Sequence, residues 1–171
     1  MLHRILLFAV LIGLAVPAHA ERMTFDHRVV PHLKAMLDSG RADLIDYNAS
    51  NPKYVVDRIV VRGDSIKDWT ELLEIVARTP DRKVRKAADW LGELHQREGC
   101  KTAAKIIAED AISVTVERAP GECGSAARTR ALFRIVAGKR SMFLLAVHQK
   151  GAMDPAEREQ WLALLASAHL D

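Results

Sequence analysis

The chain has few aromatic residues and almost no excess of charge. Aromatic side chains make up 5% of its 171 residues, and the formal net charge at pH 7 is +3. A nucleic-acid-binding face usually combines strongly basic clusters with aromatic or groove-reading elements. Because the chain has little of either, its composition argues against a nucleic-acid partner. The scarcity of aromatic rings also argues against a carbohydrate-binding cleft.

The sequence also lacks the short motifs of common enzyme classes. It contains no Gly-x-Ser-x-Gly, no His-Glu-x-x-His, no phosphate-binding glycine loop and no dinucleotide-binding fingerprint. Glu71 and Glu74 are three positions apart on a predicted strand, so their carboxylates point to opposite faces and do not form an acid–base pair. We therefore predict no catalytic residue and no cofactor. The alternative is an enzyme whose site is assembled from residues that are distant in the sequence.

No apolar run in the chain is long enough to cross a membrane, which takes about 20 residues. The most apolar run, Ile5–Val16, follows Arg4 and precedes Ala18-His19-Ala20. This arrangement is typical of a secretory signal peptide that is cut after Ala20, and the competing interpretation is an uncleaved anchor. We therefore predict that residues 1–20 are a signal peptide. The protein is then exported, periplasmic or secreted, with no transmembrane segment after cleavage.

Only two cysteines occur in the chain, Cys100 and Cys123. Export places them in an oxidising compartment, and an even count favours a disulfide between them. The 22 residues between them do not match the Cys-x-x-Cys spacing of a redox pair, and no third or fourth thiol completes a zinc site. His27 and His32 are five positions apart, which fits metal binding on neither a helix nor a strand. We predict a Cys100–Cys123 disulfide and no metal site.

Apolar patterns predict the secondary structure from residue 53 onward. Runs that alternate, or that are rich in β-branched residues, predict strands, which lie at 54–62, 70–78, 103–108, 112–118, 128–137 and 141–149. The run 70–78 also fits a helix. The run 141–149 is apolar on both faces, as is typical of a central strand. The preceding segment, 21–52, is poorly defined, with a short helix at 31–37 and an edge strand at 43–47.

Two helices complete the predicted domain, 53–171. Thr79 and Pro80 have the residue types of an N-cap and a first helical position, and apolar residues then recur at helical spacing until Gly99. A capping box that begins at Asp154 opens a C-terminal helix. This order of elements predicts an α+β fold, namely a mostly antiparallel sheet of about five to six strands with two main helices packed on one side of it.

Four segments of the chain carry a resemblance to known proteins. They are DWTELLEIV after a strand, a helix ending at Gly99-Cys100, a second cysteine before RTRALFRIVAGKRSMFLLAVHQK, and the closing DPAEREQWLALLASA. In this order they resemble a group of small exported bacterial proteins whose architecture is similar to the PsbP-like fold, named for an extrinsic photosystem subunit. The resemblance implies an exported accessory role, and it brings no catalytic residues to this chain.

Arginines on two predicted strands indicate a candidate interaction surface. Arg58 and Arg62 share a face of one strand, and Arg128, Arg130 and Arg134 share a face of another, because alternate strand residues point the same way. If both faces point away from the helices, they form one basic surface that fits an acidic protein partner or an anionic envelope surface. The alternative is an ordinary solvated face.

Together these observations favour a non-catalytic exported accessory or binding protein of the cell envelope or the secreted pool. The alternative is a secreted enzyme or effector with a site that no motif reveals. An inhibitor of another enzyme differs from the first class only in what it binds. A deep pocket with converging polar groups and shifted pKa values would favour the enzyme, and a flat charged or apolar patch would favour the binding protein.

Overall fold

A seven-stranded antiparallel sheet forms the centre of the fold in the computed structural model, which describes residues 21–101, 104–124 and 129–171. Within these ranges, a two-stranded ribbon and three helices complete an α+β arrangement, which confirms the predicted class. The strands are β1 (Met23–Thr24), β2 (Ile45–Asn48), β3 (Tyr54–Gly63), β4 (Trp69–Arg78), β5 (Lys105–Glu109), β6 (Ser113–Arg118), β7 (Arg130–Ala137), β8 (Met142–Gln149) and β9 (His169–Leu170). The sheet is larger than the five to six strands predicted, because β2 from the N-terminal segment joins its edge.

The large sheet consists of two antiparallel meanders that are joined by one strand pair. Its strand order is β2-β3-β4-β8-β7-β6-β5, and β4 pairs with β8 from Glu71↔Gln149 to Arg78↔Met142. The segment 70–78 is therefore a strand, and its helical alternative is wrong. β8 is the central strand, as its continuous apolar run predicts, and all residues from Met142 to Val147 are buried.

The helices lie on both faces of this sheet. α1 (Pro31–Asp38) and α3 (Pro155–Ser167) cover one side, and α2 (Ala87–Arg97) covers the other. We call these sides the α3 face and the α2 face. The prediction that both main helices lie on one side is wrong, because apolar residues of β7 and β8 fill both faces of the sheet and each face needs a cover.

Each face has its own apolar core. Strand residues paired across the sheet share a face, so the residues of the two cores alternate along each strand. The core on the α3 face includes Leu33, Leu73, Leu132, Leu145, Val147, Trp161, Leu164 and Leu165. The core on the α2 face includes Val84, Trp90, Leu94, Val114, Val116, Phe133, Ile135 and Leu144. Burial of each large side chain contributes about 1.5–3 kcal/mol of transfer free energy, so both layers stabilise the sheet.

α2 begins at Ala87 and not at the predicted Thr79–Pro80. The carboxylate of Asp81 accepts hydrogen bonds from the backbone N–H groups two and three residues later, at 2.8 and 2.9 Å. Such local bonds compete with helical hydrogen bonds and hold this segment as a loop. Asp89 then caps the real start by accepting from the N–H three residues before it, at 2.9 Å. In contrast, α3 begins as predicted, with Asp154 as its N-cap.

Long-range contacts build the N-terminal segment 21–52 into the fold. The Glu21 carboxylate accepts hydrogen bonds from the backbone N–H groups of Lys139, Arg140 and Ser141 at 2.8–2.9 Å. β1 also pairs with β9 at the other end of the chain. The predicted short helix and edge strand are present as α1 and β2. The first residues of the segment have partners more than a hundred residues away, which local sequence patterns do not reveal.

Candidate functional site

A cavity of about 400 Å³ lies between the α2 face of the sheet and the C-terminal half of α2. This volume falls within the range of small-molecule sites. Its lining comprises Asn48, Ser50, Asn51, Tyr54, Val56, Arg58, Glu74, Val76, Trp90, Leu94, Arg97, Glu98, Arg118, Phe133, Leu144, Ala146 and His148. These residues come from six strands of the sheet, β2, β3, β4, β6, β7 and β8, from α2 and its C-cap, and from the loop after β2. The site is therefore assembled only in the folded chain.

Strand register forms the floor of the cavity. Arg58, Glu74 and Ala146 are paired across β3, β4 and β8, and paired residues point to the same face. The neighbouring row on that face is Val56, Val76 and Leu144. The floor is therefore apolar over one row and charged over the next.

A charged cluster occupies one side of this floor. Arg58 Nε donates to Glu74 Oε1 at 2.9 Å, and His148 Nε2 lies 3.5 Å from Glu74 Oε2. Burial raises the pKa of Glu74, but hydrogen bonding and charge from His148 and Arg58 outweigh burial and lower the pKa to about 2. Glu74 is therefore ionised at neutral pH and holds both neighbouring side chains in place.

Replacing Glu74 with glutamine is expected to change the acid stability of the protein. A carboxyl whose pKa is lower in the folded chain stabilises the fold above its unfolded pKa near 4.5, and this contribution is lost as the pH falls towards about 2. Glu74→Gln should remove about 3 kcal/mol of unfolding free energy at pH 7 and flatten the decline at acidic pH. Urea unfolding at a series of pH values measures this.

The exposed carboxylate of Glu159 provides the matched control for this experiment. Glu159 lies on α3 and contacts Arg158, and its side chain is 71% exposed. Glu159→Gln should leave both the stability at pH 7 and its pH dependence nearly unchanged. If the Glu74→Gln and native proteins lose stability in parallel between pH 4.5 and 2, Glu74 is not ionised in the way that its contacts indicate.

One wall of the cavity is held by a buried arginine. The Arg78 guanidinium lies 5.4 Å from the ring centres of both Tyr54 and Trp90, and it donates to Glu93 Oε1 at 2.9 Å and to Asp81 Oδ2 at 2.7 Å. Cation–π contacts of this kind are stronger when the cation is desolvated. Arg78 therefore fixes the two aromatic rings of the wall, one from β3 and one from α2.

A disulfide fastens the end of α2 to the segment that follows β6. Cys100 and Cys123 are bonded, as predicted. Beside the bond, the Lys101 N–H donates to the Glu122 carbonyl at 3.0 Å, and the Gly124 N–H donates to the carbonyl of Glu98 at 2.9 Å. Because this end of α2 supplies part of the cavity wall, the bond also limits how far the cavity can open.

The carboxylate of Glu98 lies near both sulfur atoms of this bond, within 4.8 Å. A metal site would need thiolates, but the two sulfur atoms are bonded to each other. Glu98 is instead engaged by the guanidinium of Arg118. This group of side chains therefore links the end of α2 to β6.

A second buried acid lies on the α3 face. Glu71 has no solvent exposure, and its Oε1 accepts a hydrogen bond from Trp161 Nε1 at 2.7 Å. His32 Nε2 and Arg62 Nε lie 2.9 and 3.5 Å from its Oε2. Glu71 therefore connects α1, α3 and β3 through one carboxylate. Glu71 and Glu74 point to opposite faces, as the sequence predicts.

A β-bulge separates two of the arginines that were predicted to share a face. Arg58 pairs with Glu74, but Arg62 pairs with Glu71, because Val61 is an extra residue in β3. Arg58 therefore lies on the α2 face, inside the cavity, and Arg62 lies on the α3 face. The prediction of a common face for these two arginines is wrong, since strict alternation does not hold across a bulge.

The remaining predicted arginines are found beside carboxylates. Arg130 and Arg134 share a face of β7, as predicted, but it is the α3 face, on which helices pack. Arg130 Nη1 donates to Glu117 at 3.0 Å, and Arg134 Nη2 lies 3.6 Å from Asp110. Arg128 lies outside the described residues. The described arginines therefore do not form one basic surface, because Arg58 is on the other face and acidic residues alternate with the rest. A role for them in an interaction stays a prediction.

Of the cavity residues, Arg58 alone belongs to the predicted site residues. Glu74 and His148 come next to it only through the register of three strands, which the sequence does not specify. The available signal was charge within apolar runs: Arg58, Glu74 and His148 each lie next to apolar residues on the α2 face of their strand. Arg97 gave no signal, because an exposed arginine on a helix is ordinary.

No family model, no curated protein and no solved structure matches this chain. The resemblance to the PsbP-like fold therefore stays a prediction from the sequence, and function is argued from the cavity. In the ranges that the structure describes, every helix is too short or too polar to cross a membrane.

Proposed function

We propose that this protein is a non-catalytic, exported binding protein whose ligand occupies the cavity on the α2 face. The observation that carries the proposal is the cavity itself, with a volume of about 400 Å³, an apolar row on its floor and charged groups beside that row. In sites of this kind, apolar surface supplies affinity, and a few placed polar groups orient the ligand.

A pocket with a shifted pKa was expected to favour an enzyme, but the direction in which the pKa of Glu74 is shifted supports binding over catalysis. A general acid or base works best when its pKa is near the working pH, whereas the pKa of Glu74 is about 2. Among the described lining residues, Ser50 alone carries an aliphatic hydroxyl, and its Oγ donates to Asn48 Oδ1 at 2.6 Å. The shifted pKa in this pocket therefore belongs to a fixed anion and not to a group that exchanges protons with a substrate.

The enzyme alternative is the second candidate, and His148 is the observation that favours it. An imidazole beside a carboxylate is a common general-base arrangement, and His148 Nε2 lies 3.5 Å from Glu74. The fate of a bound compound separates the two functions. Recovery of the compound unchanged after long incubation with the protein supports a binding protein, and recovery of an altered product supports an enzyme.

Export to the periplasm or the medium is the other part of the proposal. The Cys100–Cys123 disulfide supports it, because such bonds persist in oxidising compartments. The predicted signal peptide, residues 1–20, lies outside the described residues. An accessory role in the cell envelope or the secreted pool combines this location with ligand binding.

An acidic protein or an anionic envelope surface is proposed as the partner of the predicted arginine surface. The contacts give this partner limited support, because Arg62, Arg130 and Arg134 each lie against a carboxylate of this chain. An acidic partner would compete with these existing ion pairs. The cavity therefore carries the proposed function, and the arginine surface is secondary to it.

Filling the cavity with an indole is expected to weaken ligand binding strongly. Val56 is half-buried on the cavity floor, and Val56→Trp places a large ring where the ligand would lie. Fluorescence titration with the apolar probe N-phenyl-1-naphthylamine should show at least a roughly tenfold loss of affinity relative to the native protein. Asn51→Trp at the exposed rim is a second variant that leaves the core untouched, and it should weaken binding in the same direction.

The neighbouring residue provides the matched control for the filled cavity. Val55 is exposed on the opposite face of β3, where it pairs with Ala77. Val55→Trp adds the same indole one residue away and should leave the probe affinity unchanged. Equal binding by the Val56→Trp and Val55→Trp proteins, both folded by circular dichroism, would place the probe outside the cavity and refute the proposed function.

A further inference from the structure

The lining of the cavity carries more positive than negative charge. Three arginines stand against two glutamates among its described residues. Glu74 is matched by Arg58, and Glu98 is matched by Arg118. Arg97 remains, and no carboxylate among the described residues lies within ion-pair distance of its guanidinium. Among the charged lining residues that the structure describes, Arg97 is therefore the cation without a matching carboxylate.

The position of Arg97 shows where a ligand would meet this charge. Arg97 is exposed at the last residue of α2, and its guanidinium lies 6.0 Å from the ring centre of Tyr54. The apolar floor and the Tyr54 ring border the same cavity. A ligand whose apolar body packs on this floor can therefore place an acidic group beside Arg97, at the solvent side of the site.

The end of β2, which also lines the cavity, offers hydrogen-bond donors. Asn48 Oδ1 already accepts hydrogen bonds from the backbone N–H of Ser50 at 2.9 Å and from Ser50 Oγ at 2.6 Å. The side-chain amide of Asn48 is thus left with its N–H groups as the free hydrogen-bonding atoms. N–H donors and an unmatched guanidinium are complementary to an anion and not to a cation.

We infer that the ligand is a small organic anion, with an apolar body that packs on the cavity floor and an acidic group that pairs with Arg97. This inference rests on the proposed function, since it names the chemical class that the cavity takes. An inorganic anion lacks the body that the floor would bury, and an organic cation would meet the excess positive charge. The guanidinium is planar and pairs with carboxylate or sulfonate oxygens in a bidentate way.

Two probes that differ in one acidic group test the inference. 8-Anilinonaphthalene-1-sulfonate carries a sulfonate, and N-phenyl-1-naphthylamine has the same aromatic body without it. Both are titrated by fluorescence against the native protein and against Arg97→Gln. The variant should bind the sulfonate roughly three- to tenfold more weakly, and it should bind the neutral probe as the native protein does. Added salt should weaken sulfonate binding to the native protein more than to the variant.

Arg82→Gln is the control for net charge. Arg82 is an exposed arginine in the loop before α2 and does not line the cavity. If Arg97→Gln and Arg82→Gln weaken sulfonate binding equally, the attraction is general and the inference is wrong. It is also wrong if the native protein binds the neutral probe in the cavity but does not bind the sulfonate. In both cases the cavity remains a binding site, whereas insensitivity of both probes to Val56→Trp would refute the proposed function itself.

Discussion

Replacing both cysteines with serine is expected to lower the free energy of unfolding by about 3 kcal/mol. The bond joins residues 23 positions apart, and it removes conformational freedom from the unfolded chain that the double variant regains. Since a domain of this kind is stabilised by about 5–15 kcal/mol in total, the loss is a large share. Urea unfolding of the mature protein, followed by far-ultraviolet circular dichroism, measures it.

The native protein with a reducing agent is the matched control for this result. It should lose the same stability as Cys100→Ser/Cys123→Ser, and the double variant should not respond to the reductant. Equal stability of the oxidised native protein and the double variant would contradict a stabilising role for the bond. Protein recovered from its own cell with two free thiols and residues 1–20 still attached would contradict the proposed export.

Glu71→Ala is expected to destabilise the protein by about 3 kcal/mol, because it removes a completely buried side chain and its hydrogen bond to Trp161. The variant leaves the Trp161 indole N–H without its acceptor and leaves His32 and Arg62 without their shared anion. It also opens a space beneath α3, where Glu71 is completely buried. Chemical unfolding at pH 7 measures the change.

Two further variants separate the causes of this loss. Glu71→Gln keeps an oxygen acceptor for Trp161 and removes the charge, so it should cost less than Glu71→Ala. Trp161→Phe removes the N–H donor together with part of the buried ring, so its loss of stability combines the hydrogen bond with a smaller packed volume. A Glu71→Ala protein as stable as Glu159→Ala, which alters an exposed carboxylate on α3, would show that Glu71 does not hold the helices to the sheet.

The two experiments probe opposite faces of one sheet. The disulfide and Arg78 act on the α2 face, where they hold the walls of the cavity. Glu71 acts on the α3 face, where helices cover the sheet. Glu71→Ala should therefore lower the free energy of unfolding. It should not change the probe affinity of the folded protein, because Glu71 does not line the cavity.

Local chemistry made much of the fold predictable. Alternation at 112–118, the doubly apolar run at 141–149 and the cap at Asp154 correspond to β6, β8 and α3. The α+β class follows from such signals, because the period of the apolar residues and the helix caps are properties of short segments. The disulfide follows from the number of cysteines in the chain. The start of α2 was missed because Asp81 bonds to its own loop.

The sequence by itself predicted most strands of the large sheet, the C-terminal helix and the pairing of two cysteines. Only the tertiary structure decided which side of the sheet each helix covers, where Val61 bulges, and hence which face Arg58 and Arg62 occupy. The cavity belongs to this second group. It depends on the register of β3, β4 and β8 and on the placement of α2, and register is set by pairing between strands that are far apart in the chain.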